Sequence, residues 1–235
     1  MQTNFQAPPL TKYNKILIIT IVVVFILSAL TKGILGNYLG LTFPGFTSGM
    51  IYQIVTYPFI EASFMGLIFE GLLLWFIGSE LESRWGSKFY LKFFVVSVLS
   101  VAAVYLLLSS VTSVVTPLMG VTGFNYALLM AYAIIFSERQ LMFMMIFPMK
   151  AKYFCMLLAA IQLYTGFTAT SGAVSFSHLS AMLFAFVFLK YKSIQARGAN
   201  LQNEIHKKRM KSKLHIVKDE KPKDHHDPKD PKYWQ

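Results

Sequence analysis

Gly120-Val121-Thr122-Gly123 begins an apolar segment, and His178 begins another apolar segment further along the chain. Both segments belong to a sequence whose apolar runs are long enough to cross a membrane. A hydroxyl and an imidazole at similar depth in a bilayer can carry out acyl transfer, because the imidazole takes the proton of the attacking oxygen. The two segments therefore point to a helical membrane protein and raise the question of proteolysis within the membrane.

Composition places the chain among integral membrane proteins. The 235 residues are 55% hydrophobic, only 14% are charged, and the mean hydropathy is +0.51. A water-soluble domain could not bury that much apolar surface. The one cysteine, Cys155, excludes an intrachain disulfide.

The apolar runs predict an all-α polytopic protein built as a bundle of six transmembrane helices. Backbone polar groups in lipid must be paired within each segment, so runs of about 20 apolar residues are expected to be helical. The first run follows two lysines but lacks a cleavage site, so we interpret it as a retained span rather than a signal peptide. The six predicted spans are residues 14–34, 58–79, 89–111, 117–137, 150–169 and 174–191.

Basic side chains fix the predicted orientation. They cluster before span one, after spans two and four, and in the tail, whereas residues 35–57, 112–116 and 170–173 contain no Lys or Arg. Because basic loops favour the cytoplasmic face, both termini are predicted to be cytoplasmic. Lys32 is the exception to this asymmetry. We expect residues 35–57, which are uncharged and aromatic, to lie in the membrane interface.

Three regions follow from this map. Residues 1–13 form a cytoplasmic N-terminal segment, residues 14–192 the membrane domain, and residues 193–235 a basic tail that is expected to be disordered. The basic run at residues 206–213 is expected to contact anionic lipid headgroups. Nucleic-acid binding is not expected, since no aromatic interleaving accompanies the charge. No cofactor or metal is expected.

The predicted topology brings several reactive side chains together. Thr122 and His178 each lie about four or five residues into spans that run in the same direction, roughly 6–8 Å below the membrane surface. Gly66 and Glu70 lie one and two turns deeper in span two, and Tyr126 lies one turn below Thr122. A hydroxyl, an imidazole, a phenol and a carboxyl are therefore expected to meet.

Each of these residues also has a purely structural interpretation. Gly120 and Gly123 leave room for a peptide backbone, but small residues in a span most often mark close helix packing. The Thr122 hydroxyl can bond back to a carbonyl one turn earlier, and His178 can serve as a structural hydrogen-bond partner. Glu70 is harder to explain structurally, because an intramembrane carboxyl is costly and often functional.

These residues resemble the rhomboid family of intramembrane serine proteases. Residues 120–129, Gly-Val-Thr-Gly-Phe-Asn-Tyr-Ala-Leu-Leu, are similar to that family's Gly-x-Ser-Gly segment and its continuation. His178 stands at the second catalytic position, and Tyr126 where the family often has an aromatic beneath that His. Residues 80–86 resemble the Glu/Arg-rich loop after span two, and residues 150–153 the start of span five. The resemblance covers residues 15–192 and implies a six-helix rhomboid-like fold.

The departures from the family concern catalysis. Thr122 replaces the nucleophilic Ser, Gly66 and Glu70 replace a His and an Asn that serve as oxyanion donors, and Glu61 replaces a further His. The β-branch of Thr restricts its side chain and crowds the oxygen. Losing one oxyanion donor typically lowers the rate by about 10²–10³. A protonated Glu70 could donate a hydrogen bond as Asn would, and that rescue is a hypothesis.

Two functions stay open on this evidence. In the first, the protein is a weakened or inactive rhomboid relative that binds transmembrane segments of client proteins through the fold's lateral opening. In the second, it is an active intramembrane endopeptidase with Thr122 as nucleophile and His178 as base. A channel or transporter is disfavoured, because the spans show neither an internal repeat nor a ring of like charges. The compact six-span form predicts a bacterial cytoplasmic membrane.

Overall fold

The fold is described here from a computed structural model, which describes residues 9–112, 116–138, 140–143, 147–169 and 172–191. The predicted tail, with its basic run at residues 206–213, lies outside the described residues. The described chain is helical apart from one short hairpin. Its elements are α1 (Lys12–Leu30), α2 (Ile34–Leu39), α3 (Phe43–Thr47), α4 (Gln53–Thr56), a 3₁₀ turn (Tyr57–Phe59), α5 (Phe64–Leu73), a π segment (Leu74–Gly78), α6 (Ser79–Trp85), α7 (Ser87–Thr112), α8 (Thr122–Ile135), β1 (Gln140–Phe143), β2 (Phe147–Lys150), α9 (Ala151–Thr168) and α10 (Gly172–Tyr191).

Four helices of the described chain are long and apolar enough to cross a membrane, which shows a multi-pass membrane protein. A helix lies at each of the six predicted places, but α8 and α9 do not meet both conditions, so the prediction of six spans is not confirmed. The α8 helix has 14 residues and is about 21 Å long at 1.5 Å per residue, which is shorter than a hydrocarbon core. The four are Lys12–Leu30, Phe64–Trp85, Ser87–Thr112 and Gly172–Tyr191.

The α8 helix is short because the residues before it are held in an extended conformation. Leu118 forms an isolated antiparallel bridge with Leu41, through backbone hydrogen bonds of 2.8 and 2.9 Å. The Tyr105 hydroxyl donates to the Thr116 carbonyl at 2.6 Å. These bonds satisfy the backbone without a helix, so the predicted start of span four at residue 117 was wrong by five residues.

Helix α8 lies in the centre of the core. Nine of its residues are buried, including Phe124, Leu128 and Tyr132. It packs against α7, α9 and the α5–π–α6 segment. Because these neighbours surround it, the polar side chains at its N-terminal end are kept within the protein.

The second span runs further than the sequence predicted. It continues as one helical segment from Phe64 to Trp85 through the π segment, so residues 80–85 are helical rather than a loop after residue 79. The prediction ended the span early because Glu80 and Glu82 are charged. Glu82 is nevertheless 2% exposed, and its partners explain why a carboxylate can lie there.

Glu82 caps the N-terminus of α1. Its carboxylate accepts hydrogen bonds from the Thr11 hydroxyl and from the backbone N–H groups of Tyr13 (3.3 Å) and Asn14 (3.2 Å). The Asn14 amide and the Ser87 hydroxyl donate to the same carboxylate at 3.0 and 2.9 Å. The first N–H groups of a helix lack partners within the helix, so this carboxylate satisfies them and joins α1 to α6.

A β-hairpin that the sequence did not predict connects α8 to α9. Its strands are antiparallel, with Gln140 opposite Lys150. The Glu138 carboxylate forms salt bridges with Lys150, at 2.7 Å, and with Lys152. Hydrogen bonds from Lys150 and Lys152 lower the pKa of the exposed Glu138 to about 2. The pairing joins the start of the hairpin to the start of α9.

We expect Glu82→Ala to lower the free energy of unfolding by about 2–4 kcal/mol, because it removes a helix cap and leaves buried donors unpaired. Glu82→Gln keeps one acceptor oxygen and is expected to cost less. Denaturation by SDS in mixed micelles, followed by circular dichroism, measures the change. Ser83→Ala, on the exposed neighbour, is the matched control, and equal losses for Glu82→Ala and Ser83→Ala would contradict the assignment.

Candidate functional site

Glu70 is the centre of the candidate site. It projects from α5 and is 6% exposed. One carboxylate oxygen accepts a hydrogen bond from the Thr122 hydroxyl, and the other accepts one from the backbone N–H of Val121 at 3.2 Å. The Asn125 amide donates to the backbone carbonyl of Glu70 at 3.5 Å. The start of α8 is therefore bound to the middle of span two through one glutamate.

A second carboxyl adjoins the first. Glu61 lies just before α5, where its Oε1 accepts hydrogen bonds from the backbone N–H groups of Ala62 (3.1 Å) and Ser63 (3.2 Å). A further hydrogen bond joins the carboxyl groups of Glu61 and Glu70. Such a bond needs one proton on the pair, because two carboxylates have no donor between them. One shared proton also reduces the charge that the membrane domain must accommodate.

Gly120 supplies the turn that delivers Thr122 to this pair. Its φ is +89°, in the left-handed region that favours glycine. Its backbone N–H donates to the Tyr57 carbonyl at 3.0 Å. A Cβ added at Gly120 would lie 3.1 Å from Glu70 Oε1 and Thr122 Oγ1, and 3.2 Å from Glu61 Oε2. The space at Gly120 is therefore taken by the site's own polar groups.

Gly66 and Gly123 are packing positions in this structure. A Cβ at Gly66 would collide with the Glu61 carboxylate, and a Cβ at Gly123 would lie 2.9 Å from a methyl group of Val101 on α7. The expectation that Gly123 leaves room for a substrate backbone is wrong, because α7 occupies that side. Of the two interpretations of Gly123, close helix packing is the one observed.

His178 also lies next to Gly123. It is 7% exposed, and its ring centroid lies 5.6 Å from that of Tyr126 with the planes tilted by 36°. A Cβ at Gly123 would lie 3.5 Å from His178 Cδ2. Tyr126 in turn accepts a hydrogen bond from the Gln162 amide of α9 at 2.7 Å. His178 belongs to α10, and its ring is held by packing against α8.

No hydrogen bond joins Thr122 to His178 within the part of the chain that the structure describes. The Nε2 atom of His178 is buried and has no hydrogen-bond partner among those residues. The Thr122 hydroxyl instead donates to Glu70. Topology predicted the meeting of hydroxyl, imidazole, phenol and carboxyl. The structure shows two contacts among them, the hydroxyl with the carboxyl and the imidazole with the phenol, and none between hydroxyl and imidazole in the described residues.

The hypothesis that a protonated Glu70 replaces an oxyanion donor does not match this geometry. Glu70 accepts hydrogen bonds from Thr122 and Val121, so it uses donors that a developing oxyanion would need. Gly66 has no side-chain donor, and its backbone N–H donates to the Ser63 hydroxyl at 2.9 Å. The site therefore resembles a carboxylate-binding pocket that an internal glutamate already fills.

Three groups that form the site were not predicted from the sequence. The Val121 N–H, the Asn125 amide and the backbone bonds that fix Glu61 all depend on the turn at Gly120 and on the exact start of α5 and α8. Asn125 could have been found from the sequence, because it is one of few polar residues in an apolar segment. The structure shows that it is 2% exposed. Across the described residues, no group of three or more His, Cys, Asp or Glu side chains could hold a metal ion.

We expect Thr122→Val to lower the free energy of unfolding by about 1–3 kcal/mol, because it leaves a buried Glu70 oxygen without its donor. Thr122→Ser keeps the hydroxyl and should stay within about 0.5 kcal/mol of the wild type. The SDS titration described for Glu82 measures both variants. Thr20→Val is the control, since the exposed Thr20 hydroxyl donates only to the Ile16 carbonyl of its own helix. Equal losses for Thr122→Val and Thr20→Val would contradict the role of the Thr122–Glu70 bond.

Comparison with known proteins assigns the chain to a family. A family model described as Eukaryotic integral membrane protein (DUF1751) matches residues 15–208. No curated protein matches the chain. Because the family is eukaryotic, the prediction of a bacterial cytoplasmic membrane was wrong; the number of spans in a compact bundle does not identify the organism. The match covers most of the sequence, and the chain belongs to this family of eukaryotic integral membrane proteins.

Proposed function

We propose that this protein is a rhomboid-like membrane protein that binds transmembrane segments of client proteins without cleaving them. The observation that carries the proposal is the pair of hydrogen bonds from Thr122 and Val121 to Glu70. A hydroxyl that donates to Glu70 does not donate to the His178 imidazole, which is the base that the rhomboid family's cleavage chemistry requires. The carboxylate also places negative charge where an attacking oxygen and an oxyanion would need to develop.

The energetics favour the non-catalytic state. To reach His178, the Thr122 side chain must give up its hydrogen bond to a buried carboxyl, and such a charged bond is worth about 1.5–3 kcal/mol. The β-branch restricts the rotamers available to Thr122. Val121 would also have to release Glu70 before its N–H could stabilise a substrate oxygen. Each requirement raises the barrier to peptide cleavage.

Helix α5 offers a surface for a client helix beside the site. Phe64, Met65 and Ile68 are 66%, 61% and 40% exposed, and they precede Glu70 on the same span. Thr122 and Gly66 are half-buried rather than sealed. Helix association in lipid relies on close packing and on polar contacts. An apolar client helix on α5 would have both, with the half-buried Glu61 as the polar contact.

The second candidate is an intramembrane endopeptidase with Thr122 as nucleophile and His178 as base. One observation favours it: within the described residues, the buried His178 Nε2 has no hydrogen-bond partner, so it is free to accept a proton. This candidate requires that binding of a substrate displaces Glu70 from Thr122.

Cleavage separates the two candidates. We expect the purified protein in liposomes to leave a reporter with a helix-destabilised transmembrane segment intact, because Glu70 holds the Thr122 hydroxyl. Wild type is compared with Thr122→Ala, Thr122→Ser and His178→Ala by gel analysis of the reporter. An active bacterial rhomboid protease cutting the same reporter is the control for its suitability. Cleavage by wild type that disappears in both Ala variants would establish the endopeptidase instead.

Association with the same reporter tests the binding half of the proposal. We expect energy transfer between labelled protein and labelled reporter in liposomes, unchanged by Thr122→Ala. The double variant Phe64→Gln, Ile68→Gln is expected to weaken association about threefold to tenfold, since helix contacts in lipid are individually worth on the order of 1 kcal/mol.

Val111→Gln is the matched control for that variant. Val111 is 83% exposed near the end of α7, away from α5. Equal association by the α5 variant and the Val111 control would place client binding elsewhere. Absence of energy transfer with wild type, alongside a positive signal from the active protease, would refute client binding.

A further inference from the structure

A cavity of about 370 Å³ opens between the end of α1, the start of α2 and the segment that precedes α5. It exists because small residues line it: Ser28 and Ala29 of α1, Gly33 and Gly36 near α2, and Ala62 before α5. Phe25, Ile60 and Met119 supply its apolar walls. It is a space distinct from the contacts between Thr122 and Glu70.

Two opposite charges border this cavity. Lys32 and Glu61 are the ionisable residues among its lining residues. Lys32 follows the end of α1 and has a φ of +53°, and Gly33 follows it with a φ of +80°. This reversal of the chain brings an exposed ammonium to the rim. No salt bridge joins the Lys32 ammonium to the Glu61 carboxylate in the described ranges, so neither charge is neutralised by the other.

The Glu61 carboxyl is held in place for such a role. The backbone N–H groups of Ala62 and Ser63 donate to one of its oxygens at 3.1 and 3.2 Å, so its position does not depend on Lys32. A carboxylate has four acceptor positions, and these two bonds together with the contact to Glu70 leave at least one open. An ammonium group can therefore bind Glu61 without breaking the contacts that position it.

Apolar surface continues from the cavity along two helices. On α1, Ile26 and Leu30 are 52% and 77% exposed, and on α5, Phe64 and Met65 are 66% and 61% exposed. The Phe25 and Phe64 rings lie 6.4 Å apart and bridge the two helices below the cavity. A ligand with one dipolar end and a long apolar portion would match both the cavity and this surface.

We propose that the cavity binds the headgroup of a zwitterionic phospholipid that carries a primary ammonium, with the phosphate at Lys32 and the ammonium at Glu61. The acyl chains lie along the exposed faces of α1 and α5. An anionic phospholipid without an ammonium, such as phosphatidylglycerol, would satisfy Lys32 but not Glu61. A phosphocholine headgroup has no N–H to donate to a carboxylate. This binding goes beyond the proposed client binding and does not require it; both use Glu61 and the exposed face of α5, so a client helix and this lipid would compete for that face.

Native mass spectrometry of the full chain tests the proposal. Protein released from nanodiscs containing equal amounts of phosphatidylethanolamine, phosphatidylcholine and phosphatidylglycerol should retain one phosphatidylethanolamine in preference to the others. Lys32→Gln and Glu61→Gln should each weaken that retention roughly tenfold, as expected when one charged hydrogen bond is lost. Lys15→Gln, on an exposed lysine at the opposite end of α1, should leave retention unchanged.

A cavity-filling variant and a soluble ligand complete the test. Ala29→Leu should lower retention without changing any charge, and thermal melting shows whether it folds. Glycerophosphoethanolamine, which lacks acyl chains, should compete only weakly, whereas effective competition would assign the site to a free phosphate ester and overturn the lipid proposal. Preferred retention of phosphatidylglycerol, or equal retention by wild type, Lys32→Gln and Glu61→Gln, would also overturn it.

Discussion

A carboxyl group inside a membrane helix must be neutralised or supplied with hydrogen-bond donors, and the structure around Glu70 meets this requirement. The donors come from Thr122 and Val121 at the start of α8, and a hydrogen bond between Glu70 and Glu61 requires one proton on that pair. Three separate parts of the chain must therefore meet at one point. The turn at Gly120, the start of α8 and the segment before α5 are all shaped by that meeting.

The same principle operates at the other end of the bundle. Glu82 is buried because Thr11, Tyr13, Asn14 and Ser87 donate to it, and this satisfies the first turn of α1. Buried acids thus connect helices that apolar packing alone would leave free to slide, since lipid competes with apolar side chains for helix surfaces. Glu82 joins α1 to the second span, and Glu70 joins the second span to α8.

Apolar runs in the sequence located every long helix, because lipid permits few alternatives to a helix. The apolar runs did not locate the helix ends correctly, because the position of an end depends on which groups pair with the backbone there. Helix α8 begins at Thr122 rather than residue 117 because Leu118 pairs with Leu41, and the second span continues to Trp85 because Glu82 finds its donors within the protein. In sequence, a charged residue such as Glu82 indicates the end of a membrane helix. It can lie inside the helix only because distant parts of the chain donate hydrogen bonds to it.

The candidate site was predictable in its membership but not in its pairing. Helical spacing and span direction placed Thr122, Glu70, Tyr126 and His178 together. Whether the hydroxyl donates to the carboxyl or to the imidazole depends on the left-handed turn at Gly120 and on the α7 contact at Gly123, where an added Cβ would approach its neighbours to 3.1 and 2.9 Å. Sequence patterns do not predict interatomic distances with that accuracy.

The central claim is that Glu70 withholds the Thr122 hydroxyl from nucleophilic chemistry. Its most direct test is covalent labelling of the protein in liposomes with a fluorophosphonate, followed by peptide mass spectrometry of the segment containing Thr122. The account predicts no adduct on Thr122 under conditions that fully label an active rhomboid protease. A stoichiometric adduct on Thr122 that is lost in His178→Ala would contradict it, and would show that the hydroxyl reaches the imidazole.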